Sequence, residues 1–196
     1  MSVKTKKPVK KRGRPVETKG QMSTEKIVLM AKELLKEDGK IPSIRKLASA
    51  LNVDAMAIYH YFDNKNALLK AVTVSLIDAI YDPVVSTDWR KELRALCLSY
   101  LQLLCDHPGL LDTLLGMSSV GPAGVFIERF ERALLPLELV AEHQKVALEL
   151  LVDYLHGYAL ALNCQPEATL TIEQLDGPLN FYMDALMLKK HHKKRQ

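Results

Sequence analysis

Tyr59, His60 and Tyr61 stand in a row, with Arg45 and Lys46 before them and Lys65 just after. Phenol and imidazole groups hydrogen-bond and stack, while guanidinium and ammonium groups carry positive charge. Together they suit contact with a polyanion better than proton transfer. No constellation for catalysis accompanies them. In Gly116-Met117-Ser118-Ser119-Val120-Gly121 the serine spacing misses a nucleophile elbow by one, and no strand signal precedes it. His107, His143 and His156 share no metal-ligand spacing, and the three cysteines form no C-x-x-C pair. No enzyme activity, metal or cofactor is expected.

The distribution of charge agrees. Residues 1–20 hold eight basic groups against Glu17 alone, whereas residues 71–188 hold sixteen acidic and six basic groups. The net charge is only +4 over 196 residues. A basic end on an acidic body expects the N-terminal part to meet nucleic acid and the rest to be repelled from it. Residues 191–196 read as a solvated basic tail. Free thiols and the lack of a signal-like or membrane-length apolar run make the cytoplasm the expected compartment, with no membrane partner.

These side chains must be positioned by helices, because the chain carries no strand signal. Residues 1–22 are polar, basic and aperiodic, and read as a disordered arm. From Ser23, a capping residue, Ile27, Ala31, Leu34 and Leu35 mark one helical face, and Gly39 stops it. Pro42-Ser43 opens a second helix with Ile44, Leu47, Ala48 and Leu51 inward. Asn52 suits the positive φ of a turn, and Asp54 caps a short helix through Phe62. A fourth is expected from Lys65 to Tyr81. Later helices are expected over 88–106, 109–117, from 124 to about 137, 142–164, and from 178 to about 190. The 142–164 helix is apolar around most of its circumference and would span roughly 34 Å.

Two short helices joined by a three-residue turn over Ile44–Phe62 make a helix-turn-helix, in which the second helix is held so that its outer face enters the major groove. Ile58 and Phe62 face inward. Ala55, Met56, Ala57, Tyr59, His60 and Tyr61 are left for DNA, joined by Ser43, Arg45, Lys46, Asp54 and Lys65.

The run Ile44-Arg45-Lys46-Leu47-Ala48-Ser49-Ala50-Leu51-Asn52-Val53, then Ala57-Ile58-Tyr59-His60-Tyr61-Phe62-Asp63-Asn64-Lys65-Asn66-Ala67-Leu68-Leu69, resembles the DNA-binding domain of TetR-family (tetracycline-repressor-type) transcriptional regulators. The likeness covers about residues 24–72. It implies an all-α fold: a three-helix helix-turn-helix DNA-binding domain at 23–70, then a helical effector-binding and dimerisation domain at 71–190. It further implies a bacterial, nucleoid-associated homodimer that represses transcription from a palindromic double-stranded DNA operator and is released by a small-molecule effector. By matching positions, Arg45 and residues 54–57 and 59–61 are the DNA contacts, with Tyr59, Tyr61 and Lys65 on the phosphate backbone. Apolar Ala55 and Met56 replace more polar residues of many relatives, so base reading would rest on thymine methyls. The founder's tetracycline–magnesium site needs a histidine where Leu115 stands, so neither tetracycline nor a metal is expected.

Arg12-Gly13-Arg14-Pro15 resembles the core of an AT-hook, whose arginines enter a narrow A·T minor groove. A counter-ion arm is the simpler reading of Arg12 and Arg14. An architectural, sequence-tolerant DNA binder acting through this arm is the alternative function. Tyr100, Met117, Phe126, Tyr154, His156 and Tyr158 are the candidate effector-pocket residues. Asp153 and His156 are either a pocket pair or a helix-surface pair. The 142–164 and 178–190 helices carry more apolar surface than the body needs and are expected to build a four-helix dimer interface, two from each chain.

Overall fold

The computed structural model describes residues 22–116, 121–164 and 170–192. Arg12, Arg14 and Met117, with the arm as far as residue 21 and residues 193–196, lie outside the described residues. Among the described residues every regular element is helical: α1 Thr24–Asp38, α2 Ile44–Ala50, α3 Ala55–Tyr59, α4 Lys65–Ile77, α5 Trp89–Asp106, α6 Pro108–Gly116, α7 Gly121–Leu134, α8 Ala141–Cys164 and α9 Asp176–His192.

Local chemistry sets the starts. The side chains of Ser23, Ser43, Asp54, Asn64 and Asp88 each accept a hydrogen bond from a backbone N–H in the first turn of α1, α2, α3, α4 and α5. Such a cap stabilises a helix by about 1 kcal/mol. Gly39 ends α1 in the left-handed region at φ 65°, and Asn52 turns the chain between α2 and α3 at φ 54°.

Four boundaries differ from the sequence expectation. The short recognition segment leaves α-helical geometry after Tyr59, and the N–H groups of Tyr61 and Phe62 both turn back to the Ile58 carbonyl. The fourth helix stops at Ile77 rather than Tyr81, because the carbonyls of Ile77, Asp78 and Ile80 accept from the Arg129 guanidinium. Gly121–Gly124, expected as loop, begins α7. Gly177 and Pro178 lie inside the first turn of α9, where proline's missing N–H has no partner to lose, and α9 runs on to His192.

The three N-terminal helices pack Ile27, Ala31, Leu35, Leu47 and Ile58 into a core with no solvent exposure. α4 seals it with Leu68 and Val72, then runs into the larger part through Leu76 and Ile77. There α5 is the central rod. Leu93, Leu96, Cys97, Tyr100, Leu101 and Leu104 are buried along it. α4, α7 and α8 pack against α5. No helix among the described residues is long and apolar enough to cross a membrane.

Candidate DNA interface and effector cavity

α3 is held from beneath and bare above. Ile58 is fully buried and Phe62 nearly so, while Met56 is 64% and Tyr59 42% exposed. Arg45, His60 and Lys65 are exposed and make no hydrogen bond or ion pair among the described residues. They form one surface along α2, α3 and the start of α4.

The remaining expected DNA residues are partly occupied by the fold. Tyr61 is exposed, but its hydroxyl donates to the Met22 carbonyl at 2.8 Å and pins the approach to α1. It is therefore not a free phosphate donor, because that proton is already used. Met22, expected in a disordered arm, packs against the core. Ala55 also packs against the core, and Ala57 is half-buried, so Met56 is the protruding apolar side chain of α3. The Asp54 carboxylate accepts from the Met56 N–H at 2.8 Å, and the Ser43 hydroxyl from the Lys46 N–H at 3.2 Å. Both groups serve first as helix caps. The Lys46 ammonium forms an ion pair with Asp38, joining α2 to the end of α1.

A cavity of about 470 Å³ opens in the larger part. Tyr100 of α5, Phe126 of α7 and His156 of α8 line it together, as expected, with Asp153 beside His156. The Tyr100 and Phe126 rings are tilted at 4.7 Å between centroids. The Tyr100 hydroxyl and His156 Nε2 are hydrogen-bonded at 2.8 Å. Burial pushes the Tyr100 hydroxyl well above its ordinary pKa. Burial also holds the His156 imidazole below its ordinary value, partly opposed by the Asp153 carboxylate, so this ring is uncharged near neutral pH. Ile77 of α4, Leu114 and Leu115 of α6, Ile127 of α7, and Leu148 and Val152 of α8 complete apolar walls that sequence reasoning missed.

Two expected pocket residues are elsewhere. Tyr154 and Tyr158 stack on each other at 5.8 Å, away from this cavity. The Tyr158 hydroxyl donates to the Thr171 carbonyl. Tyr154 instead lines an apolar concavity with Leu150, Pro178, Phe181 and Ala185, between α8 and α9. The reason is helical phase: two residues advance about 200°, so Tyr154 and His156 lie on opposite sides of α8. Around that concavity Val146, Leu150, Tyr154, Phe181 and Leu188 are exposed.

Arg129 was not anticipated. It is buried on α7 between Phe126 and Phe130, and its guanidinium donates to the carbonyls of Ile77 at 3.1 Å, Ile80 at 2.9 Å and Asp78 at 3.0 Å. Its place on an apolar stripe at i, i+3, i+4 was the available signal. It joins a cavity-lining helix to the end of α4. Where α6 begins, Gly109 sits against Gly39 at the end of α1; a Cβ there would lie 2.2 Å from the Gly39 carbonyl oxygen.

Residues 27–72 match the family of bacterial regulatory proteins, tetR family. The chain carries the DNA-binding domain of a tetR-family regulator. This tetR-family domain holds the bare face of α3. No curated protein matches the chain in sequence. Among solved structures, apo ActR of Streptomyces coelicolor is similar at a TM-score of 0.73 and 19% identity, covering 88% of this chain and 98% of that one. BioQ of Mycobacterium smegmatis is similar at 0.71 and 20%, covering 86% and 99%. A TetR variant from Acinetobacter baumannii AYE, in complex with minocycline, is similar at 0.66 and 25%, covering 86% and 96%. The tetR-type fold thus extends over the helices beyond the matched domain, and the chain reads as a DNA-binding transcriptional regulator.

Proposed function

We propose that this regulator is a ligand-responsive repressor that binds a palindromic operator as a homodimer in the bacterial cytoplasm and leaves it when a small molecule fills the α5–α8 cavity. The carrying observation is α3: Ile58 and Phe62 are locked inside while Met56, Tyr59 and His60 stand bare beside Arg45 and Lys65. In this reading Met56 and Ala57 meet base edges, Arg45 reaches a base or phosphate, and Tyr59 and Lys65 hold the backbone. Arg12 and Arg14 add minor-groove contacts from the arm. A BioQ structure with its double-stranded DNA operator and an ActR structure with actinorhodin are among those similar to this chain, which supports both halves of the reading.

Dimerisation follows from the exposed apolar face of α8 and α9. Two such faces bury Leu150, Tyr154 and Phe181 against their copies. The route from cavity to DNA runs through α4. Ile77 is cavity wall, Lys65 at the other end is DNA surface, and Arg129 holds the cavity end. A ligand that moves α7 therefore moves the helix on which α3 rests.

The test is binding of the full chain to a genomic operator selected from random duplexes. The enriched site should be palindromic, with half-site centres about one helical turn apart or a multiple of it. Lys65→Ala should weaken binding and reduce the salt slope by about 1. Enrichment of A·T-rich sequence without a palindrome would refute this reading in favour of an architectural binder.

A further inference from the structure

We propose that the effector of this cavity is a lipophilic cation, an aromatic or otherwise apolar body carrying a protonated or quaternary nitrogen. This rests on the ligand-responsive reading above and names its ligand class. Among the described residues, the cavity lining has two carboxylates, Glu149 and Asp153, on successive turns of α8, and no lysine or arginine. Asp153 makes no hydrogen bond or ion pair among the described residues. The ion-pair partner of Glu149 is Lys145 at 3.9 Å, beyond hydrogen-bond reach and on an exposed stretch of α8.

The polar end of the cavity therefore accepts rather than donates. Ionised carboxylates have only acceptor oxygens. The Tyr100 hydroxyl and neutral His156 bring one O–H and one N–H, and their mutual bond at 2.8 Å consumes one of the two in either tautomer. One donor remains against two carboxylates. An anionic ligand would meet like charge and no counter-charge there. A cation gains both carboxylates and the aromatic faces of Tyr100 and Phe126, which attract positive charge when desolvated. The apolar walls cover the rest of such a molecule. The surrounding body, with sixteen acidic and six basic groups over residues 71–188, adds a field of the same sign.

The test uses two probes of nearly equal size and shape and opposite charge, tetraphenylphosphonium and tetraphenylborate, titrated calorimetrically into the full-length protein. The cation should bind tighter by about tenfold or more. Asp153→Asn and Glu149→Gln, both at exposed positions that leave the core intact, should each weaken the cation by up to about fivefold and strengthen the anion. Leu114→Trp, which fills the cavity, should abolish binding of the cation. Equal affinities, preference for the borate, no binding of either probe, or a phosphonium affinity unmoved by Asp153→Asn overturns the proposal. Operator release is read in parallel. A cation that binds but leaves DNA bound refutes the regulatory reading and keeps the ligand class. An anion that releases DNA does the reverse.

Discussion

Arg129→Met tests the attachment of α4 to the cavity wall. The guanidinium, with a side chain only 10% exposed, serves three backbone carbonyls at the end of α4, and its Nη2 also reaches the Asp78 carboxylate at 3.2 Å. Methionine preserves much of the stem volume and removes every donor. A buried carbonyl left without a donor costs about 1–3 kcal/mol. These carbonyls lie near the surface, and losing the guanidinium also removes its own desolvation penalty, so the low end applies to each. The sum is about 3 kcal/mol of stability. At this chain length that lowers the melting temperature by roughly 6–12 °C. Urea and thermal unfolding at fixed protein concentration measure it. Hydrogen exchange should quicken first at residues 78–82, ahead of the α5 core. Lysine offers a point charge in place of a planar fork, so Arg129→Lys should fall between. A methionine variant within about 0.5 kcal/mol of the parent, with unchanged exchange at 78–82, would refute the clamp.

Gly109→Ala pushes a methyl group to 2.2 Å from the Gly39 carbonyl oxygen and 3.0 Å from the Lys40 Cα. Both obstacles are backbone, so unfolding experiments should show a loss of about 1–3 kcal/mol, and a neutral result would mean that α6 does not rest on α1. Phe181→Arg, at a side chain 80% exposed on α9, should shift sedimentation from dimer to monomer while leaving helical circular dichroism intact; an unmoved dimer places the interface elsewhere. His107 and His156 are both held below the ordinary imidazole value, chiefly by burial. Below about pH 6.5 the unfolded chain binds protons that the folded chain refuses, so stability should fall as pH drops through that value and level off below the folded pKa values. His107→Gln should flatten part of this fall, and a melting temperature that rises between pH 7 and 5.5 would contradict the assignment.

The helix starts were legible because a cap is a local bond: Ser23, Ser43 and Asp54 each need only the next few residues to act. The inward position of Ile58 and Phe62 was legible for the same reason, since four residues of spacing and a tight turn leave one packing arrangement. Tyr61 was misjudged because its hydroxyl partner, Met22, is brought back only by the packing of α1. Arg129 was missed because its partners lie some fifty residues away, although its seat between Phe126 and Phe130 marked it as a polar group needing buried acceptors.

α8 shows why the pocket was only half legible. With apolar residues around most of its circumference, it has no single stripe to orient it, so His156, Tyr154 and Tyr158 looked alike in sequence. The structure gives each side its own employment: Val152 and His156 toward the cavity, Leu151 and Leu155 in the core, Leu150 and Tyr154 toward open solvent. A helix that served the core alone would have a polar outer face. The apolar outer face of α8 therefore calls for a partner, and the rigidity of one helix links that partner to the cavity on its other side. Ligand binding and dimer affinity should then be coupled reciprocally: an effector that shifts α8 must change the dimer dissociation constant, and Phe181→Arg must change effector affinity by the same factor. Sedimentation with and without tetraphenylphosphonium, set against calorimetry on both proteins, gives the two factors independently. Unequal factors would mean that the monomeric variant differs from the parent in more than its interface.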